Sequence, residues 1–262
     1  MELDTDNEVK PRRKGIYLLP NLLTTGCLFS GFYAIVAAID QHFAAAGMAV
    51  FIAMLFDTAD GRIARLTHTE SAFGKEYDSL ADMVSFGLAP AIVAYQWGVV
   101  RIAEFGHEWG RFGWLACFFY AAAAALRLAR FNARAASADK RYFEGLPSPS
   151  AAAIVAGFVW ASIHWREPGL VGLIAAFAVT AIAGALMVSR LGYPSFKQFK
   201  LDRRVRFVSL LLVVLVVVLI AVVLNAIDDP PTLLLAIFGT YAVSAPITWL
   251  LRRLRRKRRA PA

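Results

Sequence analysis

The sequence is poor in the residues that build disulfide frameworks and cysteine–histidine metal sites. Only two of its 262 residues are cysteines and only four are histidines. Cys27 and Cys117 both lie inside apolar runs, where a free cysteine behaves as a small hydrophobic residue. These counts argue against a disulfide-stapled scaffold and against a zinc site built from cysteine and histidine.

Charge is also scarce, since only 18% of residues are charged, while 58% are hydrophobic and the mean hydropathy is +0.55. Soluble domains average about 45–50% apolar residues. The charges are clustered, which leaves apolar runs of about 20 residues, the length that crosses a bilayer core. The first run, residues 19–39, exceeds the roughly 7–15 apolar residues of a signal peptide and predicts a retained membrane helix.

The pattern of apolar runs predicts an all-α integral membrane protein, a bundle of about eight transmembrane helices. The sequence shows no internal repeat and no low-complexity linker, which favours a single membrane domain at 19–251. A cytoplasmic segment, 1–18, would precede this domain, and a basic cytoplasmic tail, 252–262, would follow it. The predicted spans are 19–39, 43–65, 77–100, 112–134, 148–165, 168–189, 206–226 and 231–251.

The net charge of +9 would suggest a nucleic-acid partner in a soluble protein, but here the basic residues flank apolar runs. With both termini in the cytoplasm, all of the 28 Lys and Arg except Arg101, Arg111 and Arg166 fall on the cytoplasmic side. The positive-inside rule therefore supports this orientation. No nucleic-acid partner is expected, and the basic tail suits either a topology anchor or attraction to anionic lipid.

Four aspartates stand where two predicted spans meet the cytoplasmic side. Asp57 and Asp60 lie near the end of the second span, and Asp78 and Asp82 lie at the start of the third. Spacings of three and four place each pair on one helix face. The short loop between the spans predicts an antiparallel hairpin, so four carboxylates would meet. Divalent cations relieve their repulsion, and all-oxygen ligands favour hard ions such as Mg²⁺, Mn²⁺ or Ca²⁺.

Two other roles for these acids remain open from spacing alone. They could form structural salt bridges with Arg62, Arg65 and Lys75, or a proton or cation pathway, since intramembrane acids often do. A pathway would need acids across the membrane. The second and third spans have none beyond their cytoplasmic ends, and the last four spans have no internal acid.

The residues around the aspartates form an extended motif. It reads D-x-x-D-G-x-x-A-R-x8-G-x3-D-x3-D from Asp57 to Asp82. This motif resembles, without departure, the signature of the CDP-alcohol phosphatidyltransferases. The resemblance implies that Asp57, Asp60 and Asp78 bind one or two ions of Mg²⁺ or Mn²⁺. Asp82 would complete the metal site and act as the general base.

The same resemblance implies a binding site for a CDP-linked lipid. Gly61 and Ala64 are small and would let the nucleotide approach the helix. Gly74 would relieve crowding at the start of the next helix. Arg65 would contact phosphate, because its planar fork suits that geometry. Asn21 would offer hydrogen bonds, whereas Arg62, which the motif leaves free, reads as an interfacial anchor.

Four further segments resemble the membrane-type phosphatidylserine synthases of this family. They are 19–24 (LPNLLT), 85–90 (SFGLAP), 127–132 (RLARFN) and 143–149 (FEGLPSP). This resemblance implies transfer from CDP-diacylglycerol to L-serine, giving phosphatidylserine and CMP. It also implies a homodimer, while the charge asymmetry predicts an active site at the cytoplasmic side of the cell's inner membrane. Glycerol 3-phosphate, an inositol phosphate or choline remain alternative acceptors.

Candidate acceptor-binding residues come from two of these segments. Arg127 and Arg130 share a helix face and could hold the serine carboxylate or a lipid phosphate, although they also suit positive-inside anchoring. Asn132 could donate hydrogen bonds, although it, like Asn21, also suits a helix cap. Ser148 could touch the substrate. His68, the one histidine near the aspartates, is expected to be a loop residue.

Overall fold

A computed structural model describes residues 18–67, 69–101, 107–134, 142–164, 169–194 and 229–259. The predicted span 206–226, residues 1–17 and His68 lie outside these ranges. The described helices and strands, in chain order, are α1 (Leu18–Ile39), α2 (Phe43–Thr67), α3 (Ala72–Asp82), a π-helix (Met83–Leu88), α4 (Ala89–Trp97), α5 (His107–Arg134), β1 (Tyr142–Glu144), α6 (Ser148–Ala161), a 3₁₀ turn (Ser162–His164), α7 (Leu170–Val188), β2 (Gly192–Pro194) and α8 (Pro230–Arg259).

Five of the described helices are long and apolar enough to cross a membrane. The helical architecture of a multi-pass membrane protein is therefore confirmed, while the total of eight spans, the orientation of the termini and the domain boundaries stay predictions. One further apolar helix, α6, is shorter than these five. The five segments are Leu18–Ile39, Phe43–Thr67, Gly110–Ala133, Leu170–Val188 and Pro230–Leu251.

The helices pack closely because small residues line their contacts. The face that α1 buries carries Thr24, Cys27, Ser30, Gly31 and Ala34. Small side chains let helix backbones approach one another, as is common in membrane bundles. Because of these small residues, α1 and α2 are in extensive contact. This contact brings the first turns of α1 beside the acid-bearing end of α2.

The short helix α6 lies at the centre of the bundle. Its alanine-rich stretch from Ala151 to Val159 is almost entirely buried, and it packs against α2, α4, α7 and α8. The span predicted at 148–165 is α-helical from Ser148 to Ala161 and continues as a 3₁₀ turn to His164.

The third predicted span differs most from its prediction. Its helix begins at Ala72 rather than 77, with Ser71 accepting a 2.9 Å hydrogen bond from the Gly74 N–H as an N-cap. A π-helix then follows directly after Asp82. Proline has no N–H to donate to the carbonyl four residues back, so Pro90 leaves the Phe86 carbonyl without its α-helical donor. The buried Tyr120 hydroxyl of α5 donates to that carbonyl at 3.0 Å.

Two short strands join connections that were expected to be loops. β1 and β2 pair antiparallel, with Phe143 opposite Tyr193. They tie the segment before α6 to the segment after α7. At the other end of the chain, α8 continues through Arg259, so the predicted basic tail begins as a helix.

Candidate metal centre and active site

Three of the four predicted acids meet between α2 and α3. One carboxylate oxygen from each of Asp57, Asp60 and Asp78 lies within 4.8 Å of the other two. Asp60 is the deepest of the three, with 4% of its surface exposed, and Asp57 and Asp78 are half-buried. The antiparallel course of the two helices pairs the acids across the hairpin. Asp60 and Asp57 lie within electrostatic reach of Asp78, and Asp57 and Asp78 within reach of Asp82.

Asp82 lies one turn further along α3 and is not part of the three-oxygen group. Its Oδ1 atom is buried and has no hydrogen-bond partner among the described residues. Asp57, Asp78 and the buried Arg127 of α5 all lie within electrostatic reach of Asp82. Asp82 therefore experiences the charges of both the acid group and a buried cation.

The three acids suit a hard divalent cation. Two carboxylates at this separation repel by on the order of 3–4 kcal/mol at an effective dielectric constant of about 20. Such a cluster is stable when a cation neutralises part of its negative charge, and a donor set made only of oxygens suits Mg²⁺ or Mn²⁺. The half-buried position leaves the group accessible from one side, as a substrate-binding metal site requires.

The residues expected to bind a CDP-linked lipid lie around this group. Among the described residues, a methyl group added at Gly61 would meet only the Arg65 Nη2 atom, at 3.9 Å, so the helix surface there is open toward them. One added at Gly74 would lie 3.1 Å from Ser71 Oγ and 3.5 Å from Asn21 Oδ1. The structure thus places Asn21 of α1 beside Gly74. Arg65 is exposed and Ala64 half-buried on the same end of α2.

Arg127 and Ser148 also lie together. The Arg127 guanidinium is buried, with 8% exposure, and its Nη1 donates a 2.8 Å hydrogen bond to the Ser148 hydroxyl at the start of α6. Its Nε is buried without a hydrogen-bond partner in the described part of the chain. A buried cation with an unused donor, next to Asp82, is suited to hold an anionic group.

The remaining acceptor candidates have other partners. Arg130 donates to three main-chain carbonyls, those of Glu144 and Met187 at 3.3 Å and of Val188 at 3.4 Å. It therefore joins α5 to β1 and caps the last turn of α7. Asn132 donates a 2.8 Å hydrogen bond to Ser79 on α3. Arg130 lies within electrostatic reach of Arg127, but its hydrogen bonds go to main-chain carbonyls, and that of Asn132 goes to Ser79 rather than to Arg127 or Ser148.

A model of the CDP-alcohol phosphatidyltransferase family matches residues 17–227, most of the chain and all of the acid-bearing hairpin. The chain belongs to this family. The predicted membership is therefore confirmed, and it makes the protein a transferase rather than a cation transporter.

Individual relatives of the family are also similar to this chain. A CDP-diacylglycerol–serine O-phosphatidyltransferase of Helicobacter pylori is 35% identical over 238 residues, which cover 90% of this chain and 92% of the relative. The Saccharomyces cerevisiae protein of the same name is 37% identical over 146 residues, half of each chain. An archaetidylserine synthase of Methanothermobacter thermautotrophicus is 34% identical over 178 residues, covering 67% of this chain and 69% of the relative.

The sequence interpretation missed the part that α1 plays in the acid group. The Thr24 hydroxyl donates a 2.7 Å hydrogen bond to Oδ2 of Asp60. Thr25 and the Tyr77 hydroxyl are 2.9 Å apart, next to Asp78. Two successive threonines in a mostly apolar span are a signal that could have directed attention to this face of α1.

Proposed function

We propose that this protein transfers the phosphatidyl group of CDP-diacylglycerol to L-serine, giving phosphatidylserine and CMP, as a step of phospholipid biosynthesis. The meeting of three carboxylates beside a buried fourth, in a member of this family, carries the proposal of metal-dependent transfer. Serine is favoured as the acceptor because the Helicobacter pylori relative, which is named for serine, aligns with 90% of the chain.

Asp57, Asp60 and Asp78, with Asp82 completing the set, would hold one or two ions of Mg²⁺ or Mn²⁺. Such ions supply stabilisation of the negative charge that develops on the attacked phosphoryl group and on departing CMP. The role of the protein is to hold the four carboxylates at fixed positions on two packed helices. Asp60 is buried and accepts a hydrogen bond from Thr24, which holds its carboxylate in place.

The open helix surface at Gly61 and Ala64 would receive the nucleotide of the donor. Arg65 would contact its diphosphate, since an exposed guanidinium at the end of α2 can turn toward the acid group. Gly74 and Asn21, which lie side by side, would form the opposite wall. The acyl chains would then extend into the hydrocarbon region, while CMP leaves toward water.

Asp82 would act as the general base. Its Oδ1 atom, which lacks a hydrogen-bond partner in the described structure, would accept the proton of the serine hydroxyl. The hydroxyl oxygen then bonds to the lipid-side phosphorus. The bond from that phosphorus to the bridging oxygen breaks, and CMP departs with the electron pair.

Arg127 would recognise the serine carboxylate, supported by its bond to Ser148. It lies within electrostatic reach of Asp82, so one serine molecule could contact both residues. Arg130 and Asn132 are weaker candidates, because main-chain carbonyls and Ser79 already engage them.

The site would lie at the cytoplasmic side of the inner membrane, and the family resemblance supports a homodimer.

An acceptor panel tests the proposal. Purified protein receives CDP-diacylglycerol and Mn²⁺ together with L-serine, glycerol 3-phosphate, an inositol phosphate or choline, and CMP release is measured. We expect turnover with serine to exceed that with every other acceptor. Equal or greater turnover with glycerol 3-phosphate would contradict the choice of serine, and no CMP release with any acceptor would contradict the proposed reaction.

A further inference from the structure

Thr24 lies on α1, outside both acid-bearing helices, yet it contacts the deepest acid of the metal centre. Its Oγ1 atom is 2.7 Å from Oδ2 of Asp60, and both residues are 4% exposed. An ionised carboxylate only accepts hydrogen bonds, so the hydroxyl is the donor. A bond from a neutral donor to a charged acceptor is stronger than one between neutral groups, and this distance is typical of such a bond.

The Thr24 hydroxyl has a second possible acceptor besides Asp60. The Pro20 carbonyl, one helical turn back, is 3.1 Å from the same hydroxyl. Threonines in helices commonly bond to this carbonyl, but a hydroxyl has a single hydrogen to donate. The shorter distance and the negative charge favour Asp60. The Thr24 hydroxyl therefore donates mainly to Asp60 rather than to the Pro20 carbonyl of its own helix.

The bond restricts how Asp60 can turn. The terminal torsion of an aspartate is broad, so a carboxylate needs hydrogen bonds to hold one orientation. Thr24 fixes Oδ2 of the carboxylate through its hydrogen bond. With this support Asp60 offers an oxygen within 4.8 Å of those of Asp57 and Asp78.

We propose that Thr24 is a positioning residue of the metal centre, whose hydroxyl holds the Asp60 carboxylate in its cation-binding orientation. The inference rests on the proposed function, because it takes the acid group to bind a divalent cation. Removing a hydrogen-bond partner of a metal ligand typically weakens metal affinity by about 10–100-fold. A loss of this size is the expected effect of deleting the hydroxyl.

The test compares variants that change only the hydroxyl. Thr24→Val deletes it at nearly constant volume, and Thr24→Ser keeps it. Thr180→Val is the matched control, because Thr180 is fully buried on α7 and donates to the Ala176 carbonyl at 2.8 Å, away from the acids. Mn²⁺ binding to each purified protein, without lipid substrate, is followed through the paramagnetic resonance signal of free Mn²⁺.

We expect Thr24→Val to bind Mn²⁺ about 10–100-fold more weakly than wild type, and Thr24→Ser and Thr180→Val to bind it as wild type does. Unchanged affinity in Thr24→Val, or an equal loss in Thr24→Ser, would overturn the role of Thr24. If the valine variant does not fold, Thr24→Cys, whose thiol is a weak donor, replaces it with the same expectation. Failure of the wild type to bind Mn²⁺ would overturn the metal centre itself.

Discussion

Replacing Gly31 with alanine should push α1 away from the π-helix that follows Asp82. The added methyl carbon would lie 2.6 Å from the Ser85 Cα atom and 2.8 Å from its Cβ atom. Carbon atoms in contact prefer about 3.5–4.0 Å, so the two elements must separate by about 1 Å. Because one clashing atom belongs to the backbone, rotation of a side chain cannot relieve the contact.

The displacement occurs three residues after Asp82. A misplacement of about 1 Å in a catalytic constellation can lower the rate by about 100-fold. Overpacking a core costs about 1–3 kcal/mol, which the better helix propensity of alanine offsets by about 0.5–1 kcal/mol. We therefore expect Gly31→Ala to lose roughly 100-fold in the rate of CMP release, while it remains folded with a modestly lower thermal midpoint.

The matched control is Gly239→Ala on α8, where an added methyl group meets no atom of the described residues within 4 Å. CMP release at saturating CDP-diacylglycerol and serine, with thermal unfolding in detergent, separates the two effects. Wild-type turnover in Gly31→Ala would refute the claim that close packing of α1 on the π-helix sets the position of Asp82. A rate loss in Gly239→Ala as large as that of Gly31→Ala would also refute it.

Three further predictions concern the metal and the two arginines. Chelation of divalent cations should abolish CMP release, and added Mg²⁺ or Mn²⁺ should restore it; turnover that persists in excess chelator would contradict metal dependence. Arg127→Met should raise the KM for serine by about 10–100-fold, the value of a charged hydrogen bond, with little change in the KM for CDP-diacylglycerol. Equal changes in both would contradict serine recognition. Arg130→Met should instead destabilise the fold by about 1–3 kcal/mol, because three main-chain carbonyls lose their donor, while the KM for serine stays unchanged.

The acid-bearing hairpin could be predicted from the sequence because its geometry depends only on residues that are close together in the chain. Spacings of three and four fix a helix face, and a short loop fixes an antiparallel neighbour. Asp57, Asp60 and Asp78 accordingly meet in the structure. The spacing could not show that Asp82, one turn further along its helix, falls outside this group.

Contacts between helices that are distant in the chain could not be predicted in the same way. No spacing rule relates Thr24 to Asp60, because the rotation of α1 about its axis depends on packing throughout the bundle. Arg130 could bind an anion or serve as a positive-inside anchor by its position in the sequence, and no spacing rule indicated that carbonyls of β1 and of the end of α7 lie within its reach. The π-helix had one local signal, Pro90, but no sequence pattern indicated that the Tyr120 hydroxyl of α5 donates to its Phe86 carbonyl.

The most direct measurement follows labelled serine into lipid. Purified protein receives CDP-diacylglycerol, Mn²⁺ and isotopically labelled L-serine, and labelled phosphatidylserine and CMP are counted together. The same assay on Asp82→Asn removes the proposed base, and Asp40→Asn, which alters an exposed acid between α1 and α2, is the control.

We predict that wild type and Asp40→Asn form one phosphatidylserine for each CMP, and that folded Asp82→Asn forms neither. CMP release without labelled lipid, or near-normal turnover in Asp82→Asn, would contradict the account.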